Sequence, residues 1–207
     1  MDKGCLCFRR CKGEKRANTT HDSCAFGIGG EKMNVKTASF NQLQAVKEFY
    51  YEVIDAVGGA DDSVAWKKDI YPAPDFLLES ICCGELFLAE EGGRIVGAMV
   101  LNHRFNDAYR SFHWPVRAEE TAVTVIHALA IRPTCWRKGY AKQLVRFAID
   151  YARDHHQKVI RLDVLKGNRN AGKLYTGMGF RYLHTLPMFY EDTGWADFDL
   201  YEYPLAT

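Results

Sequence analysis

The chain lacks long apolar runs. None approaches the roughly 18 to 20 residues a membrane helix needs, so no membrane partner is expected. It also lacks an excess of one charge: 27 Lys and Arg offset 26 Asp and Glu to leave +1 over 207 residues. That balance gives no electrostatic footprint for a nucleic acid. The N-terminus is charged and has no apolar signal-peptide core, and a cytoplasmic location is the expectation. Position 2 is Asp2, not the glycine that myristoylation requires, which counts against a lipid on Cys5 or Cys7. No internal repeat or low-complexity tract is visible. Cysteines are present but unorganised: seven, an odd number, at irregular spacing. That is the pattern of free thiols in a reducing compartment. Cys5, Cys7, Cys11 and Cys24 follow C-x-C-x3-C-x12-C, which is no common zinc spacing. His155, His156 and His184 have no carboxylates at ligand spacing, so no metal is expected.

What is present is ample apolar material, 47% of the residues, enough for one domain with a sizeable core. Residues 1–32 differ from the rest. They are polar and glycine-rich, with seven Lys and Arg against four Asp and Glu and no periodicity. They read as a disordered extension or an artefact of start-site choice, ahead of a single domain over 33–207. Met33 to Ala38 reads as a first strand. Asn41 is the expected cap of an amphipathic helix carrying Leu43, Val46, Phe49, Tyr50, Val53 and Ile54, ended by Gly58-Gly59. A second helix is expected from Pro74 or Asp75. Two strands, Glu85–Glu90 and Arg94–Asn102, flank the turn Glu91-Gly92-Gly93. His103 to Glu120 reads as a long polar loop.

Val125 to Ala141, VIHALAIRPTCWRKGYA, carries the most information. A strand over Thr121–Ile131 must stop at Arg132-Pro133, because proline cannot donate to a ladder. A helix then opens at about Gly139, with Tyr140, Leu144, Val145, Ala148, Tyr151 and Ala152 on its buried face. Unpaired first-turn N–H groups and the helix dipole suit a phosphate there. Gly139 and Ala141 leave room for a pyrophosphate to approach the backbone. A strand over Val159–Leu165 follows, then a helix over about Asn170–Met178. Strands near Phe180–Tyr190 and Trp195–Tyr203 close the chain. The order β-α-α-β-β-β-α-β-α-β-β predicts an α/β fold whose mixed sheet is partly antiparallel.

Gly139 and Ala141, with Asn168, Ala171, Leu174, Tyr175, Gly179 and Phe180, resemble in register the two motifs of the GNAT superfamily of N-acetyltransferases. One motif reads Gln/Arg-x-x-Gly-x-Gly/Ala, the other Asn-x-x-Ala-x-x-Leu-Tyr-x-x-x-Gly-Phe. The resemblance runs from about Met33 to the end and is loose before Glu85. Trp136 departs from it, standing where the motif has Gln or Arg. The resemblance implies a sheet of about seven strands, splayed between two central parallel strands. It implies acetyl-coenzyme A as acyl donor, with Leu129, Ala130 and Ile131 along the pantetheine arm. The backbone of Leu129 is placed on the thioester oxygen. The pyrophosphate falls on Arg137, Lys138, Gly139, Tyr140, Ala141 and Lys142, with Asn168 and Ala171 beside the pantetheine.

Acyl transfer needs proximity, loss of an amine proton, an oxyanion donor and a protonated leaving thiolate. Tyr175 is the expected acid on the sulfur, since a phenol is a donor with a pKa near that of a thiol. His127 is a candidate base and equally a structural histidine. Glu119, Glu120 and Asp163 are alternatives. Tyr71, Tyr109, Trp114, Phe189, Tyr190 and Trp195 are candidate acceptor-pocket aromatics, and Glu191 and Asp192 could attract a cationic amine. Cys135 reads as a small buried residue. The expected reaction is direct transfer, in a ternary complex, to the primary amine of a small molecule. A protein amine and a catalytically degenerate coenzyme A-binding module are the alternatives, and a homodimer is possible. Gly167 to Lys173 has P-loop spacing, but Leu174 stands where the magnesium-binding Ser or Thr belongs.

Overall fold

A computed structural model describes residues 24–26, 33–58 and 65–205. The side chains of 24–26 and the remaining cysteines before them lie outside the described residues, so the reading of 1–32 is met only at its end. There Cys24–Phe26 forms strand β1, paired antiparallel with β2, Met33–Thr37. Helix α1 (Leu43–Val57) follows a short 3-10 turn whose cap is Ser39 rather than Asn41. The Gln42 side chain reaches back to accept the Ser39 N–H at 3.0 Å. Pro74 opens helix α2 (Pro74–Cys82) at a position where its missing N–H costs nothing. Strands β3 (Leu86–Glu91) and β4 (Arg94–Asn102) form the expected hairpin. A four-residue helix α3 (Ala108–Ser111) interrupts the long loop. Then come β5 (Val123–Ile131), α4 (Tyr140–Asp154), β6 (Val159–Leu165), α5 (Arg169–Gly177), β7 (Arg181–Tyr190) and β8 (Gly194–Pro204).

The strands lie in the order β1-β2-β3-β4-β5-β6-β8-β7, with β1 making the sheet eight-stranded. Every adjacent pair is antiparallel except β5 with β6. The alternation of the strands divides the core in two. Phe87, Ala89, Met99 and Leu101 pack with Leu144, Val145 and Ala148 of α4 and Tyr175 of α5. Leu86, Leu88, Ala98 and Val100 pack on the other face with Phe49, Tyr50 and Val53 of α1 and Leu77 of α2. Gly97 on β4 is what lets α4 sit close: a Cβ there would lie 2.8 Å from Ile131 and 2.9 Å from Leu144.

The loop between β4 and β5 is polar in sequence but not loose. Phe105, Tyr109, Phe112 and Trp114 cluster with Met188, Phe198 and Leu200 of β7 and β8. Arg161 reaches the same loop, its guanidinium 4.1 Å above the Trp114 ring and donating to Val116 O at 2.7 Å.

Candidate active site

The parallel pair β5 and β6 is in register only from Val123 to Val125, opposite Val159 to Arg161. Beyond that point the two strands no longer pair with each other, though β5 stays paired with β4 and β6 with β8. Between them opens a cleft of about 410 Å³, lined by Ile126–Leu129 of β5, Asp163–Leu165 of β6, and Asn168, Ala171 and Tyr175. The expected splay is therefore present, and the cleft lies in it.

A bulge shapes the β5 side. Ala98 faces Ala130 but Val100 faces His127, so β5 carries one extra residue there. Ala128 takes the left-handed φ of 48°. The Tyr50 hydroxyl donates to Ala128 O at 2.8 Å, and a hydrogen bond also joins the Ala128 backbone to Tyr71. Both aromatic side chains come from the α1–α2 layer, so that layer holds the bulge. Arg132 N–H bonds Val96 O on the β4 side at 2.9 Å. By alternation, Leu129 and Ile131 then turn their backbone groups to the splay. Ala130 does not. It pairs with Ala98, and its side chain is buried in the α1–α2 core, which removes it from the expected lining. The Ile131 carbonyl is already engaged, accepting from the Trp136 indole at 2.8 Å. Trp136 thus takes a backbone acceptor at the rim of the splay.

The loop before α4 has an open backbone form. Gly139 caps α4 with a left-handed φ of 87°, no side chain caps that helix, and open space lies where a Cβ would stand. First-turn N–H groups of α4 are thereby left to an anion. Arg137 holds φ 62°, a conformation uncommon outside glycine. Arg137, Lys138 and Lys142 surround this end with positive charge. The Tyr140 side chain turns away, donating to Glu91 at 2.6 Å on the β3–β4 hairpin, so only its backbone belongs to the loop. Cys135 is buried, as expected. The residues present fit coenzyme A: a splayed strand edge for an amide-bearing arm and an uncapped helix end ringed by cations for phosphates.

Asn168 caps α5, its Oδ1 accepting from Ala171 N at 3.0 Å, while it also lines the cleft. Tyr175 lines the same wall, its ring against Phe180 at 5.4 Å. Burial first, and then the charge of Asp163, raise its pKa above the ordinary phenol value.

His127 Nε2 lies 2.8 Å from Arg104 O and 3.0 Å from Asn102 Oδ1, two acceptors, which assigns the proton to Nε2 and leaves Nδ1 unprotonated. Burial lowers its pKa to about 4, opposed by the Arg104 backbone hydrogen bond and aided by the Arg104 charge. The ring is neutral at pH 7 and a weak base. An NMR titration should find His127 near pH 4, not near the reference of about 6.5. Between these values the unfolded chain holds the extra proton. The contribution to stability is therefore complete above about 6.5 and is lost as pH falls toward 4, at most about 3 kcal/mol. A His127 titration near 6.5 would refute this.

Asp163 is the polar centre of the opposite wall. It accepts from the Tyr109 hydroxyl at 2.7 Å and from Tyr190 at 3.1 Å. Burial raises its pKa, and these two hydroxyls hold it down. Asp192, in the β7–β8 turn, also lines the cleft and is buried, its pKa raised by burial. Tyr71 and Tyr190 line it as expected, and Tyr109 reaches it through Asp163. Trp114 does not; it packs on Arg161. Phe189 and Trp195 meet edge to face at the exposed hairpin tip. Glu120 pairs with Arg110 outside the cleft. Sequence reasoning missed Trp66, Phe76, Phe105 and Phe198 as cleft walls, since each reads as ordinary core. Among the described residues, no three His, Cys, Asp or Glu side chains could together hold a metal, and no helix is long and apolar enough to cross a membrane.

The Acetyltransferase (GNAT) family model matches residues 51–180, and the chain belongs to that family. A GNAT-family acetyltransferase from Streptococcus agalactiae superposes with TM-score 0.70 at 17% identity, over 84% of this chain and 96% of its own. A Salmonella typhimurium protein solved with its cofactor acetyl-CoA gives TM-score 0.61 at 20% identity, over 84% and 94%. A ribosomal-protein-alanine N-acetyltransferase from Brucella melitensis gives 0.60 at 19%, over 83% and 99%. Among curated proteins, none matches the chain by sequence.

Proposed function

We propose that the chain transfers the acetyl group of acetyl-CoA to the primary amine of a small molecule, by direct attack in a ternary complex. The observation that carries this reading is the cleft at the β5–β6 splay. It has a carboxylate-bearing aromatic wall, and β5 runs on from it to the loop before the uncapped N-terminus of α4, which suits a phosphate. The acceptor arrives as an ammonium and gives up one proton to water before its lone pair attacks the thioester carbon. Leu129 N–H donates to the oxygen that gains charge. The C–S bond breaks with its electron pair on sulfur, beside Tyr175. The second amine proton leaves as the amide forms, and sulfur takes one proton, so one proton is released net. His127, neutral and weakly basic, orients through its Nε2 bonds more than it abstracts, and Asp163 holds the amine.

The residues that enclose Asp163 favour a small acceptor. Arg104, Phe105 and Asn106 from the β4–β5 loop line the cleft, and Tyr109 closes on Asp163 behind them. A cytoplasmic setting fits this reading, since the proposed donor is acetyl-CoA.

Thermal unfolding with acetyl-CoA tests the donor. At about a hundred times its dissociation constant, a bound ligand stabilises by roughly 2.7 kcal/mol, about 5 to 11 °C for a domain of this size. A shift of that order, followed by amine-dependent release of thiol, supports transfer. A shift with no thiol release from any amine leaves the degenerate module, and no shift at millimolar ligand removes the donor.

A further inference from the structure

The walls of the acceptor cleft have an unbalanced charge. Two carboxylates, Asp163 and Asp192, line it. The partners of Asp163 are the neutral hydroxyls of Tyr109 and Tyr190. Asp192 is steadied by backbone N–H groups of its own turn and, less strongly, by the charge of Lys67, which lies outside the lining. The cation in the lining, Arg104, is spent elsewhere: it pairs with Glu79 at 2.9 Å and Glu85 at 2.5 Å. The lining histidine is neutral at pH 7. The rest of that wall is aromatic, with Trp66, Tyr71 and Phe76 in one run of edge and stacked contacts. Aromatic faces beside carboxylates suit an organic cation.

The reaction sharpens this. An amine must be neutral when it attacks. A monoamine in that form leaves Asp163 without a counter-charge, and Asp192 with only the charge of Lys67 from outside the lining, inside a partly desolvated cleft, which is costly. A second ammonium, remote from the reacting nitrogen, stays protonated throughout and offsets that charge. We infer that the acceptor is a linear diamine or polyamine, acylated at the end beside Asp163 and held by Asp192 at the other. This inference rests on the acetyl-transfer reading. It predicts rejection of amines that end in a carboxylate, since a third anion would enter the same cleft.

The test is thiol release by the full chain at saturating acetyl-CoA. The acceptors are butane-1,4-diamine, pentane-1,5-diamine and spermidine, set against pentylamine and 5-aminopentanoate. A diamine should exceed pentylamine in kcat/KM by at least about tenfold, with 5-aminopentanoate lowest. In Asp192→Asn, KM for the diamine should rise about tenfold or more and the diamine-to-monoamine ratio should fall toward one. Equal use of pentylamine and pentane-1,5-diamine would overturn the inference and leave acetyl transfer standing. So would an Asp192→Asn variant that keeps the ratio, or preferred use of 5-aminopentanoate or of a peptide amine. Acetyl-CoA binding with no turnover of any amine overturns both readings, and is distinguished by the thermal shift.

Discussion

Tyr175→Phe should lower kcat by about 10² to 10³-fold while acetyl-CoA affinity changes little, because the substitution removes one donor from the leaving sulfur and nothing else. The ring packs against Phe180 and Tyr201, contacts that phenylalanine keeps. Stability should therefore stay near that of the parent. The magnitude follows from what the hydroxyl can do. Burial and the Asp163 charge raise its pKa. Full proton transfer from so weak an acid to a thiolate is uphill, so Tyr175 acts as a hydrogen-bond donor to developing charge, with the final proton drawn from solvent. The same direction of shift keeps Tyr175 protonated through the neutral and mildly alkaline range. No alkaline loss of kcat should then trace to it below about pH 10, the ordinary phenol value. Steady-state kinetics and a coenzyme A titration on the variant check both parts. A kcat within threefold of the parent would take Tyr175 out of the mechanism.

The parts of this site written in local sequence are those fixed by punctuation. Arg132-Pro133 ends β5 where expected and Gly139 opens α4, whereas the capping of α5 by Asn168 is seen only in the structure. The buried face of α4 follows the helical spacing of Tyr140, Leu144, Val145, Ala148 and Ala152. The bulge at Ala128 is different. VTVIHALAI reads as an unbroken strand, and only its register against β4 reveals the extra residue. Its cost is met from Tyr50 and Tyr71, residues 78 and 57 positions earlier, which no local pattern connects to it. Ala130 was misplaced for a related reason: which strand residues face the splay depends on that register. Trp114 misled because an aromatic in a loop can fill a pocket or a core, and Arg161, far along the chain, decides between them. Asp192 stands out in the sequence by its charge alone; its burial and its place in the cleft lining come from the folded β7–β8 turn.

The second large effect concerns that same Arg161. Its side chain and that of Glu202 are almost wholly removed from water, with Nε 3.2 Å from Oε1. Burial lowers the pKa of Arg161, and Glu202 opposes this; burial raises that of Glu202, and Arg161 opposes it. The pair spans β6 and β8 and clamps the loop, since Val116 N donates to Glu202 and Val116 O accepts from Arg161. Glu202→Gln strands a buried guanidinium and should cost about 3 to 5 kcal/mol, roughly 6 to 20 °C in Tm. Replacing both partners, Arg161→Met with Glu202→Leu, should cost far less than the single change, because the penalty lies in the unpaired charge. The loop carries Tyr109, which holds Asp163, so the single variant should also raise the acceptor KM at temperatures where it remains folded. Denaturant unfolding of the two variants separates the outcomes. If Glu202→Gln loses under about 1 kcal/mol, the charges are solvated and the loop is held by its aromatic cluster instead. If the double variant is as unstable as the single, the pair contributes through its bonds to Val116, not through charge balance.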